Sequence, residues 1–222
     1  MRPVDKGNKD KTYNPYTTAK RDLFKAIGPY CSYCERNIEL GGAVEHVQPK
    51  SKEIGKECCW DNFLLSCVNC NSTKGSRTIN DNNIYEYVWP DKDDTYHMIE
   101  YDSNSLIPRP NDTISEDDKQ RVHRLITLVG LNKTSPKEGS LDYAKACDTR
   151  VEGRIKASQN AKELKDDYLH LSDEGKGPFR KALSIIIKAE GYWSVWMHTF
   201  EDVPEVREML LDIIPGTRKD LF

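Results

Sequence analysis

Two Cys-x-x-Cys pairs, Cys31-Ser-Tyr-Cys34 and Cys67-Val-Asn-Cys70, constrain this 222-residue chain more than any other feature. Four thiolates around one tetrahedral ion draw both pairs to a single point and close the residues between them into a loop. Such a site gives a small, loop-rich segment a rigidity that its few apolar residues cannot, because binding the ion is part of the folding free energy. Neighbouring residues rarely chelate one tetrahedral ion, so Cys58 and Cys59 fall outside the set, as does Cys147. The paired spacing points to a structural Zn2+ on Cys31, Cys34, Cys67 and Cys70 rather than to a disulfide framework.

The N-terminal Met1-Arg-Pro-Val-Asp-Lys has no apolar run of a signal peptide, and no stretch approaches the roughly 20 apolar residues of a membrane span. The expectation is a soluble, cytoplasmic protein without a membrane partner. With 37% hydrophobic residues and a mean hydropathy of -0.74, the chain suits a compact core plus an appendage. We expect an α+β protein: a small zinc-stapled ββα core within residues 1–110, and a mainly α-helical domain over 111–222, open to docking a partner.

Residues 1–15 are polar and turn-rich and read as an arm packed on the body or partly mobile. Thr17 or Thr18 can cap a helix over 19–27, with Leu23, Phe24 and Ile27 on one face and Gly28-Pro29 ending it. Ala43-Val-Glu-His-Val47 is β-prone between Gly41-Gly42 and Pro49, which predicts a strand carrying Glu45 and His46 on opposite or oblique faces, His46 toward a cleft. Trp60-Asp-Asn-Phe-Leu-Leu65 should pin the preceding polar loop to the core and so position Asn62. A turn or short helix is expected from Asn71. Further on, Ser115 caps a helix ending at Gly130, a long charged helix spans about 141–171, and an apolar helix runs from Phe179 toward Gly191. The aromatic run Tyr192–Phe200 is too dense to be all surface, and suits core better than a docking face.

A structural zinc site has no need of Glu45-His46, so that pair suggests chemistry. Phosphodiester hydrolysis needs a base for water, a divalent cation against the phosphate and leaving oxygen, and groups to hold both in line. An imidazole with an ordinary pKa of about 6.5 accepts a proton at neutral pH, which makes His46 the candidate base. His97, His123, His170 and His198 lie outside the pattern and receive no role. Glu45 and Asn71 offer the oxygen ligands that suit a hard ion such as Mg2+.

The phrases Cys-x-x-Cys, Glu-His-x-x-Pro-Lys and Trp-x-Asn-Phe-Leu-Leu-x-Cys-x-x-Cys-Asn-x-x-Lys resemble the HNH endonucleases, in the variant ending on Asn, over residues 31–77. The opening Met1–Gly7, the phrase Tyr30–Arg36 and Pro90-Asp91 are similar to the subgroup called PtuB, found in Septu and retron anti-phage systems. That resemblance implies a ββα-metal nuclease with His46 as base, Glu45 and Asn71 on a catalytic Mg2+ or Mn2+, and Asn62 bracing the loop that faces His46. It also implies a partner, a PtuA-like ATPase of ABC or SMC type. Many such nucleases carry Asp where Glu45 stands, which puts the metal preference in question.

Lys74, Arg77 and Lys50, with Lys52 behind them, are the candidate phosphate contacts, against the plainer reading of a solvated basic face. The whole chain, with 33 basic and 36 acidic residues and a pI near 6.0, is not built for tight unaided nucleic-acid binding. DNA is the expected substrate. Two alternatives stand beside it: an RNA substrate such as tRNA, since nothing excludes a 2'-hydroxyl, and a non-catalytic zinc-binding adaptor.

Overall fold

The computed structural model describes residues 1–134 and 148–222. Its centre is a two-stranded antiparallel hairpin, β1 (Ala43–His46) and β2 (Phe63–Ser66), followed by helix α2 (Val68–Lys74). Glu45 lies opposite Leu64 and His46 opposite Phe63. The strands are short because Gly41-Gly42 and Pro49 bound β1 and Cys67 ends β2. All four residues of β2 are buried, so its continuous apolar run reads as a strand covered on both faces. The expected ββα unit is present, with α2 starting three residues before Asn71.

The helix expected over 19–27 has a different start. Residues Tyr16–Ala19 form a 3-10 turn, and α1 covers Lys20–Ile27. Neither threonine caps it; Thr18 Oγ1 instead donates to the Pro15 carbonyl at 2.8 Å. Hydroxyls compete for nearby backbone groups in this way wherever a turn precedes a helix.

The N-terminal arm is packed. Val4 pairs with Thr217 and donates to the Pro90 carbonyl. Lys6 is buried against Asp91 at 2.7 Å, so the two separated phrases Met1–Gly7 and Pro90-Asp91 meet in space. A second small hairpin, β3 (Ile99–Tyr101) with β4 (Pro108–Pro110), follows a single helical turn, α3 (Thr95–Met98).

Helix α4 (Glu116–Val129) begins on Ser115, whose hydroxyl accepts from Asp118 N–H, and ends on left-handed Gly130. Its buried face, Val122, Leu125, Ile126, Leu128 and Val129, joins the core formed by the arm, α1, the hairpin and the cysteines. Thus α4, which lies beyond residue 110, packs with the N-terminal part. A second core holds α5 (Arg150–His170), α6 (Asp173–Glu190), α7 (Trp193–Thr199) and α8 (Pro204–Ile213). The described part of the long charged helix begins at Arg150; the portion expected over 141–147 and Cys147 lie outside the described residues. Trp193 and Trp196 are fully buried, so the aromatic run is core. No helix among the described residues is long and apolar enough to cross a membrane.

The two cores are joined through the first cysteine turn. Glu35, at φ 65°, points its carboxylate inward to accept from the Ser194 N–H and hydroxyl at 2.9 and 2.8 Å. Its carbonyl accepts from Tyr192 N–H at 2.9 Å. Gly191 makes this contact feasible, because a Cβ there would run into that same carbonyl.

Candidate functional site

The four predicted cysteines come together. Their sulfurs all lie within 4.8 Å of one another, every one buried, with Cys34 and Cys67 sulfurs 3.6 Å apart. Tetrahedral zinc with bonds of about 2.3 Å requires sulfur separations of about 3.8 Å. The donor set therefore fits structural zinc. Cys67 also caps α2, its sulfur accepting from Cys70 N–H at 3.4 Å, the polarity expected of a thiolate.

His46 ends β1 and is 8% exposed. Its ring meets Phe63 and Tyr16 edge-on, with centroids 5.2 and 4.6 Å away. Nε2 lies 2.8 Å from the Glu57 carbonyl. A carbonyl only accepts, so Nε2 carries the hydrogen and Nδ1 is left as the free base. Burial holds the His46 pKa below the ordinary histidine value, with the Glu57 carbonyl opposing. The ring is therefore neutral at physiological pH.

Glu45, one residue earlier, points to the other side of the strand and is buried. Desolvation raises its pKa, and Lys74, 2.8 Å from Oε1, pulls it back down. The ammonium and the carboxylate form a buried ion pair. A carboxylate held this way balances a cation by charge, and its oxygens are also of the kind a hard divalent ion takes. Asn71 sits on α2 one turn before Lys74 and is half-buried.

Asn62 is a clamp. Its Oδ1 accepts from Gln48 N–H at 2.7 Å, while Nδ2 donates to the carbonyls of Gln48 at 2.9 Å and Lys56 at 3.1 Å. It thereby fixes the two ends of the 48–57 loop that carries the Glu57 carbonyl to His46. Lys6 supports Asn62 in turn, donating to the carbonyls of Asp61 and Phe63 on either side of it.

Among the candidate phosphate contacts, Lys74 requires correction. It is not on an exposed basic face: it is 1% exposed, and its ammonium is engaged by Glu45 and by the His46 carbonyl at 2.7 Å. Helical spacing decides this, since the last turn of α2 faces β1 rather than solvent. Arg77 is exposed and reaches the Thr127 and Leu128 carbonyls near the end of α4. Lys50 lies beside His46, with Nζ 4.2 Å from the Tyr16 ring centre and 3.5 Å from Glu57 Oε1. Lys52 is exposed on the same loop.

Sequence reasoning missed Tyr16, the Glu57 carbonyl, Gln48 and Lys6. Backbone carbonyls leave no residue-type signal, and Tyr16 reaches His46 from a distant segment. Charge is distributed unevenly: residues 1–77 carry 13 Lys and Arg against 9 Asp and Glu, and the remainder carries 20 against 27. The site thus sits on the basic part of an acidic chain.

Compared with known protein families, residues 31–77 match HNH endonuclease. An HNH endonuclease domain therefore spans both cysteine pairs, the ββ hairpin, α2 and Arg77, and supports a metal-dependent nuclease. No curated protein matches the chain.

Proposed function

We propose that this protein is a metal-dependent HNH endonuclease that cleaves DNA, acting as the nuclease of an anti-phage defence complex with a PtuA-like ABC or SMC type ATPase. The observation that carries the nuclease reading is the His46 imidazole, held by its Nε2 hydrogen on the Glu57 carbonyl so that Nδ1 is a neutral base. His46 takes a proton from the attacking water at Nδ1. Asn62 acts on His46 as a positioning residue, through the 48–57 loop. Glu45 and Asn71 would hold a divalent cation, Mg2+ or Mn2+, which when bound supplies charge compensation for the phosphate and the leaving oxygen. Lys74 neutralises the Glu45 carboxylate and holds the end of β1 to α2. Lys50 and Arg77 offer phosphate contacts. The defence role rests on the PtuB-like phrases Met1–Gly7, Tyr30–Arg36 and Pro90-Asp91.

The test is cleavage of supercoiled plasmid and of tRNA, in Mg2+ and in Mn2+, by wild type and His46→Ala, each with and without the ATPase. Nicking by wild type alone supports the DNA reading. Cleavage of tRNA alone moves the substrate to RNA. No cleavage under any condition by folded, zinc-loaded protein overturns the nuclease reading and leaves the zinc-binding adaptor.

A further inference from the structure

Arg150, the first residue of α5, is 2% exposed in the heart of the molecule. Its Nη1 donates to Cys70 Sγ at 3.1 Å and to the Val129 carbonyl at 2.7 Å, and Nη2 donates to the Gly130 carbonyl at 2.8 Å. Asp148 closes the other edge, with Oδ1 accepting from Nε at 2.8 Å and Oδ2 from Nη2 at 2.6 Å. One guanidinium therefore links a cysteine of the metal cluster, the end of α4 and the start of α5. A buried cation has to be matched by negative charge, and a thiolate beside it does so. Four thiolates on one divalent ion carry net negative charge, and an N–H donor to a sulfur relieves it.

The first cysteine pair is held from the same side. Beyond Glu35 on Ser194 and Tyr192, Arg36 donates to Thr149 Oγ1 at 3.0 Å and Asn37 to the Lys188 carbonyl at 3.1 Å. Both cysteine pairs are thus gripped by residues from 149–194.

We infer that Arg150 is an outer-shell positioning residue of the zinc site, and that zinc binding and the seating of α5 and α7 on the cysteine turns stabilise one another. The coupling runs both ways, as linkage requires. Freeing the start of α5 or the 191–195 turn from the cysteine turns speeds zinc loss, and removing zinc loosens those same two segments while the far end of the helical core stays protected. The inference concerns the zinc site and holds whatever the HNH domain cleaves.

Zinc release to a chromogenic chelator from the full-length protein tests it. Partners of metal ligands typically change affinity by 10–100-fold, so Arg150→Ala should release zinc at least about tenfold faster. Arg150→Lys, which keeps the charge but not the fork, should fall between and remains informative if the alanine variant does not fold. Leu210→Ala in the second core is the control: it should lower the melting temperature yet release zinc at the wild-type rate. Hydrogen exchange of the wild type after zinc removal should show that, within the helical core, protection is lost first at 150–157 and 191–195. Arginine variants that keep zinc like wild type, a Leu210 variant that loses it equally fast, or exchange that rises uniformly would each overturn the proposal. So would purified protein lacking stoichiometric zinc.

Discussion

At the scale of single residues, burial decides roles that residue type leaves open. Lys74 illustrates this. Its position four residues after Cys70 suggested a basic tip for phosphate, but the last turn of α2 buries it against Glu45. Removing one member of a buried ion pair leaves an uncompensated charge and costs about 3–5 kcal/mol. Lys74→Ala should therefore lower unfolding stability by that order in urea titration; a loss within about 0.5 kcal/mol would show that Glu45 is satisfied otherwise. Asn62 acts by geometry. Asn62→Ala removes three hydrogen bonds that hold the 48–57 loop, each worth about 1 kcal/mol. The expected result is a drop in kcat of about 10–100-fold with zinc content unchanged, read by single-turnover cleavage beside metal analysis. Unaltered turnover would remove Asn62 from the positioning of His46.

At the scale of elements, the packing of α7 carries a pH dependence. His198 stacks on Tyr96 at 4.5 Å and takes part in a hydrogen bond between its Nδ1 and the Tyr96 hydroxyl. Burial, helped by the nearby N-terminal ammonium, depresses its pKa to about 4. The unfolded chain binds a proton near pH 6.5, and the folded chain resists it. This contribution is fully present above about pH 6.5 and is lost as pH falls toward about 4, on the order of 1–3 kcal/mol. Melting temperature should fall across that window, and His198→Gln should flatten the fall. An unchanged slope in the variant would place the acid sensitivity elsewhere. The elements themselves were legible where local chemistry sets them: Ser115 and Gly130 delimit α4 within a residue, and Gly191 ends α6. The start of α1 was not, because a turn hydrogen bond from Thr18 won over capping.

At the scale of the whole molecule, the four-cysteine cluster lies where contacts from both cores meet. A zinc ion on these cysteines would join β2 and α2 to the first cysteine turn, and structural zinc sites of this kind contribute on the order of 10 kcal/mol to folding, as much as an ordinary domain's whole stability. Cys67→Ser and strong chelation should each unfold the N-terminal core, seen as lost near-ultraviolet circular dichroism; retention of native signal in either would contradict a structural role for the ion. The helical region is fastened to the same turns by Glu35 and Arg150. The first core takes in α4, while Tyr30 and Tyr96 from the N-terminal part pack in the second.

By itself the sequence determined the cysteine set, the ββα order and the HNH domain, because these depend on residue identity at short, fixed spacing: two knuckles, a β-prone run and a capped helix. It also singled out Glu45, His46, Asn62 and Asn71 as candidate site residues. Only tertiary structure decided which nitrogen of His46 is bare, that Lys74 is buried rather than exposed, that Lys6 meets Asp91, and that Arg150 reaches Cys70 from 80 residues away. Those outcomes rest on which backbone carbonyls and charges meet after the chain closes, and pairings of that kind leave no periodicity or spacing in the sequence to read.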